Sequence, residues 1–152
     1  MVLSGWILTG CGGSGAQKAQ SWQTVRVAAA RFQVPASWRV VARKTAANAS
    51  GNSQLVEVQT FPLVRTYRPA LFEKVASELA LRMSGVARKT GGTIAGHSVV
   101  TAGGIKSHSY EVRIGKRTDT YTFVLRGKRE YQLICSADES VCEHLVASFG
   151  VT

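Results

Sequence analysis

The chain of 152 residues is 45% hydrophobic and 18% charged, a folding composition that excludes an intrinsically disordered chain. One domain of this length buries roughly two-thirds of the surface that its unfolded chain exposes, so neither a metal nor an oligomer is needed for stability. The net charge of +10 comes from few acids as much as from many bases. It favours anionic partners such as lipid headgroups or anionic polymers, or else serves solubility alone.

The segment Val2–Thr9 is mostly apolar and carries no charge, but a bilayer takes about 20 apolar residues to cross. A short apolar run followed by small residues is the pattern of a secretory signal. This one ends Leu8-Thr9-Gly10-Cys11 and continues Gly12-Gly13-Ser14-Gly15. It resembles the lipobox of bacterial lipoprotein signal peptides, which makes residues 1–10 the signal peptide and Cys11 the lipidated first residue of the mature chain. Small side chains before the Cys let the extended segment enter a peptidase cleft, and the thiol accepts the diacylglycerol. Each buried methylene is worth about 0.8 kcal/mol, so several acyl chains give a stable anchor. The resemblance implies attachment to membrane lipid through acylated Cys11, on the extracytoplasmic face of a membrane or envelope. No Lys or Arg precedes Cys11, where a signal normally has one, so the translation start is expected upstream of Met1.

With Cys11 lipidated, Cys135 and Cys142 remain as an even pair seven residues apart, in a compartment where disulfides persist. We expect them bonded. The spacing is wrong for a CxxC redox or zinc site, and no further ligand cluster accompanies it.

Residues 11–23, rich in Gly, Ser, Ala and Gln, read as lipidated Cys and flexible spacer. A single domain is expected over 24–152. Arg31–Pro35 and Trp38–Ala42 look like strands around a Pro-containing turn, Asn48–Ser53 like a loop, and Gln54–Val64 like a third strand with alternating polarity. From Pro69 to Val86 the period becomes helical, with Leu71, Phe72, Val75, Leu79, Met83 and Val86 on one stripe. Gly91-Gly92 closes that segment.

Four strand-like runs follow. A two-residue turn at Gly103-Gly104 sets His97 opposite Tyr110. A second at Lys116-Arg117 sets Tyr110 opposite Phe123 and Val112 opposite Tyr121. A three-residue turn at Gly127–Arg129 sets Phe123 against Leu133 and Leu125 against Tyr131. These registers place Tyr110, Val112, Tyr121, Phe123, Leu125, Tyr131 and Leu133 on one apolar floor under a helix. The last run, Ser140–Phe149, puts Val141, Leu145, Val146 and Phe149 on a helical stripe, with Ser140 and Glu143 spaced as a capping box.

The segment Phe32-Gln33-Val34-Pro35-Ala36-Ser37-Trp38, the mid-chain helix, and the Tyr131-Gln132-Leu133-Ile134 strand with its C-terminal helix together resemble the PsbP-like family over roughly residues 30–150. The resemblance implies an α+β fold, an α/β/α sandwich with a central, mainly antiparallel sheet and two packed helices. Members include an extrinsic photosystem subunit, a nuclear import factor and many bacterial lipoproteins of undefined role. They share no catalytic motif, so it implies a binding or accessory domain and nothing finer; no cofactor is expected.

The residues themselves agree. There is no Gly-x-Ser-x-Gly on a strand-to-helix turn, no P-loop, no dinucleotide fingerprint, and the acids are too scattered for a glycosidase pair. The candidate ligand-binding residues are His97, His108 and Tyr110, which share a sheet face, while Glu111 points away. They open the alternative of a metal-dependent or hydrolytic envelope enzyme, against the default of structural histidines. His144 reads as surface. Lys116-Arg117 and Arg126, Lys128, Arg129 fall at opposite ends of the expected meander, so the charge reads as spread. Spread charge with core aromatics speaks against a specific nucleic-acid groove and for weak contact with anionic headgroups or envelope polymers.

Overall fold

The computed structural model describes residues 19–152; the expected signal peptide, the lipidation site Cys11 and most of the spacer lie outside them. Strand β1 spans Trp22–Val27, two residues ahead of the expected start. It pairs with β2 (Ala30–Pro35) in a hairpin whose turn residue Ala28 has φ 50°. The Val34-Pro35-Ala36-Ser37-Trp38 segment then turns sharply. Trp38 N–H donates to Pro35 O at 3.0 Å, and the Gln23 amide donates to the carbonyls of Pro35, Ala36 and Trp38 at 3.2, 3.2 and 2.7 Å.

The reading of Asn48–Ser53 as a loop is corrected. Asn48 to Gly51 belong to β4 (Ala46–Gly51), which pairs with β3 (Arg39–Ala42) on one side and β5 (Gln54–Tyr67) on the other. Only Asn52-Ser53 forms the turn, and both have positive φ, 51° and 62°, as a two-residue primed turn requires. The strand buries Ala47 and Ala49, which carry little apolar signal. Gly51 is small because the Trp38 indole lies on it: an added Cβ would sit 2.5 Å from Trp38 Cδ1.

A 3-10 turn at Pro69–Leu71 leads into α1 (Phe72–Thr90), which ends at Gly91 in the left-handed conformation, φ 70°. Strands β6 (Thr93–Ala102) and β7 (Ile105–Ile114) pair through the Gly103-Gly104 turn, and His97 faces Tyr110 as expected. The next turn falls at Gly115-Lys116, one residue earlier than expected. Tyr110 therefore meets Tyr121, Val112 meets Asp119, and Phe123 meets His108. A slip of two leaves each side chain on its expected face.

The third turn does not exist. Strand β8 runs unbroken over Arg117–Ser136, so Phe123 does not meet Leu133, nor Leu125 Tyr131. Its first half pairs with β7 and its second with β5, where Val58 faces Leu133 and Thr60 faces Tyr131. Gly127, at φ 58°, accommodates a bulge in place of a turn, and the extra residue exchanges the faces. Phe123 packs under α1, whereas Tyr131, Leu133 and Cys135 face the other core. The expected single floor is divided between two cores.

The result is a six-stranded antiparallel sheet in the order β3-β4-β5-β8-β7-β6 and a small sheet β1-β2-β9, with β9 at Gly150–Val151. Helix α1 covers one face of the large sheet. Helix α2 (Glu139–Ser148) and the small sheet cover the other, around Phe32, Val34, Val56, Val58, Leu133 and Leu145. The expected capping box is not made: Asp138 precedes the helix, exchanging hydrogen bonds with the Gln54 amide at 2.9 and 3.1 Å. The Cys135–Cys142 disulfide is present, with Cα atoms 5.6 Å apart.

Candidate functional site

The hairpin at Gly103-Gly104 brings His97, His108 and Tyr110 together on the α1 face. His108 Nε2 lies 3.0 Å from the Phe72 carbonyl oxygen. That oxygen can only accept, so Nε2 carries the hydrogen, leaving Nδ1 to pair with His97 Nε2 at 3.0 Å. The His108 ring stacks on Phe72 at 4.0 Å and the His97 ring on Tyr110 at 4.5 Å. The Tyr110 hydroxyl donates to Ala76 O at 3.2 Å, and burial raises its pKa above the ordinary phenol range.

These contacts have a chemical consequence. His108 is 2% exposed and both of its ring nitrogens are engaged within the fold, so a metal could take it only by breaking one of those bonds. His97 is exposed and keeps one ring nitrogen, but a lone imidazole is a poor site. Glu111 lies on the opposite face, as expected. Among the described residues no three His, Cys, Asp or Glu side chains converge as a metal site. What the trio does in this geometry is fasten the first turns of α1 to the sheet. Arg82 does the same further along, donating to Glu130 at 2.9 and 2.7 Å. Burial alone would raise the Glu130 carboxyl, but hydrogen bonds from Arg82 and Gln132 outweigh it and hold the pKa below the ordinary value.

On the other face of the same strands lies a groove of about 760 Å³, lined by Ser98, Ser109, Glu111 and Thr120 from the sheet and by Cys142 and Val146 from α2. Sequence reasoning missed it. Alternating Ser and Thr read as an ordinary solvated face, and only the packing of α2 turns that face into a concavity. Lys116 and Arg117 share its lining with Glu139 and Glu143, so its charge selects no one class of ligand. His144 departs from its expected surface position. It is half-buried, stacked on Trp22 at 3.6 Å with Nε2 2.9 Å from Gln33 Oε1, and burial lowers its pKa.

An antiparallel sheet clasped between α1 and the α2 layer, with the Val34–Trp38 turn at its margin, defines the PsbP-like fold. The solution structure of cyanobacterial PsbP (CyanoP) from Synechocystis sp. PCC 6803 matches with a TM-score of 0.65 and 16% identity, over 93% of this chain and 99% of that one. A crystal structure from Bacteroides thetaiotaomicron VPI-5482 matches with a TM-score of 0.54 and 9% identity, over 82% of this chain and 45% of that one. No protein-family model and no curated protein sequence matches. At these identities the likeness is one of fold.

Proposed function

We propose that the chain is a non-catalytic binding or accessory domain that works on the extracytoplasmic side of a cell membrane or envelope, held there by an acylated Cys11. The observation that carries this reading is the PsbP-like fold, matched over nearly the whole length of both chains. The histidine geometry supports the non-catalytic part, because the residues best placed for chemistry are engaged in fastening α1. The Cys135–Cys142 disulfide supports the compartment, since such bonds persist outside the reducing cytosol. Among the described residues no helix is long and apolar enough to cross a membrane; attachment is assigned to the lipobox.

The test is metabolic labelling with a fatty-acid analogue, followed by a high-salt wash of membranes. Wild type is expected labelled and retained, and Cys11→Ser unlabelled and washed off, because salt screens residual contact of the basic surface within about 8 Å. Wild type that is unlabelled and fully soluble would remove the anchor and the localisation together.

A further inference from the structure

The continuous course of β8 changes where the positive charge lies. With no turn at Gly127, Arg126, Lys128 and Arg129 sit mid-strand, where Pro62 pairs with Arg129 and Tyr67 with Gly127. The four residues between, Leu63 to Thr66, face Lys128 alone and bulge outward. Arg65 rides on this bulge and Arg68 follows it. Lys106, at the start of β7, shares a hollow of about 390 Å³ with Tyr67 and Gly127. Arg65, Arg68, Lys128 and Arg129 thus lie on or beside the bulge, while Arg126 donates to Val151 O at 3.1 Å and Lys106 stands over the Phe72 ring. Glu73, 3.8 Å from Lys106, and Glu78 are the exposed carboxylates nearby; Glu130 is buried against Arg82. Among the described residues Arg65, Arg68, Lys128 and Arg129 form no ion pair.

The bulge also presents an apolar side chain to solvent. Val64 is 99% exposed, and Phe61, earlier on the same strand, 40%. Single exposed apolar residues are ordinary, but a projecting apolar tip flanked by four cations without ion pairs is what an anionic bilayer surface accepts. The apolar side chain enters the headgroup boundary while Lys and Arg meet lipid phosphates. We infer that the Leu63–Thr66 bulge is a membrane-contact tip, which seats the domain on anionic phospholipid with Val64 inserted and Arg65, Arg68, Lys128 and Arg129 on the headgroups. This rests on the reading that the domain faces a membrane, and it adds an orientation that a flexible tether alone does not impose.

The test uses the full chain carrying Cys11→Ser, so that no acyl chain contributes, sedimented with vesicles of phosphatidylcholine alone or with about a third phosphatidylglycerol. Binding is expected only to the anionic vesicles. The triple variant Arg65→Gln, Arg68→Gln, Lys128→Gln should weaken it about a hundredfold, near fivefold for each charge. A control with equal charge loss at the far end of α1 and β7, Arg88→Gln, Lys89→Gln, Arg113→Gln, should bind as the parent does. The apolar N-terminal segment is common to all three. Equal loss in both triples, or no preference for anionic vesicles, would overturn the inference. Val64→Trp gives a second readout that needs no loss of binding: its emission should shift to the blue on anionic vesicles, and unshifted emission from bound protein would also overturn it. Neither outcome bears on whether Cys11 is acylated, which the labelling experiment reports.

Discussion

The two faces of the large sheet are closed by different means. Under α1 the apolar core is small, built on Leu79, Met83, Ala87, Tyr110, Val112 and Phe123, and polar bonds supplement it: His108 to Phe72 O, the Tyr110 hydroxyl to Ala76 O, and Arg82 to Glu130. Beneath α2 the core is larger and almost wholly apolar, and the Cys135–Cys142 bond ties the helix to β8. The first layer depends on buried polar groups finding their partners. The second depends on apolar burial and on the redox state of its compartment. The two should therefore yield to different insults.

The largest effect is expected in the α2 layer. Leu145 is fully buried, and Leu145→Ala should cost about 3 kcal/mol, the middle of the range for such truncations, read from denaturant midpoints. Removing the disulfide with Cys135→Ala and Cys142→Ala should cost about 2.5 kcal/mol on the chain-entropy argument for so short a loop. The comparison sharpens if amide exchange quickens in α2 while α1 is unchanged. Equal quickening in both would mean that the layers are not independent. For the α1 layer, His108→Leu leaves the Phe72 carbonyl and one His97 nitrogen unpaired, and should cost about 1 to 3 kcal/mol. The loosening should appear first at Phe72 to Ala76 in exchange or relaxation data, with α2 intact.

The smallest effect is the response to acid. Burial depresses the His144 pKa, so the unfolded chain takes up the proton first. The contribution of His144 is complete above the ordinary histidine pKa, about 6.5, and is lost as pH falls through the lowered folded value. Glu130 acts the same way at lower pH. Its contribution is complete above the ordinary carboxylate range and is lost as pH falls through its depressed folded value. Stability should thus decline in two stages on acidification. His144→Gln should flatten the upper stage only, measured as thermal midpoint against pH.

Much of this was legible in sequence, for identifiable reasons. The helical stripe from Phe72 to Met83 is strongly periodic, and the Gly103-Gly104 turn fixed the His97–Tyr110 pairing because two glycines with positive φ suit a two-residue hairpin. Strand β4 is hidden because the residues it buries, Ala47 and Ala49, carry little apolar signature. Gly127-Lys128-Arg129 misled because a bulge and a turn draw on the same residues, and only the presence of β5 as a partner chooses between them. That choice also sets Lys128 and Arg129 beside the Leu63–Thr66 bulge, a placement that only the pairing of β5 with β8 reveals. Face assignments survived the slipped register at Gly115 because parity is unaffected by a shift of two.

We propose that this disulfide-bonded domain is exported and tethered, and one spectrum addresses all three properties. Intact-mass measurement of the protein extracted from envelopes, without prior reduction, should give a chain beginning at Cys11, heavier by a diacylglycerol and lighter by the two hydrogens of one disulfide. A chain that keeps residues 1–10, without lipid and with free thiols at Cys135 and Cys142, would contradict it.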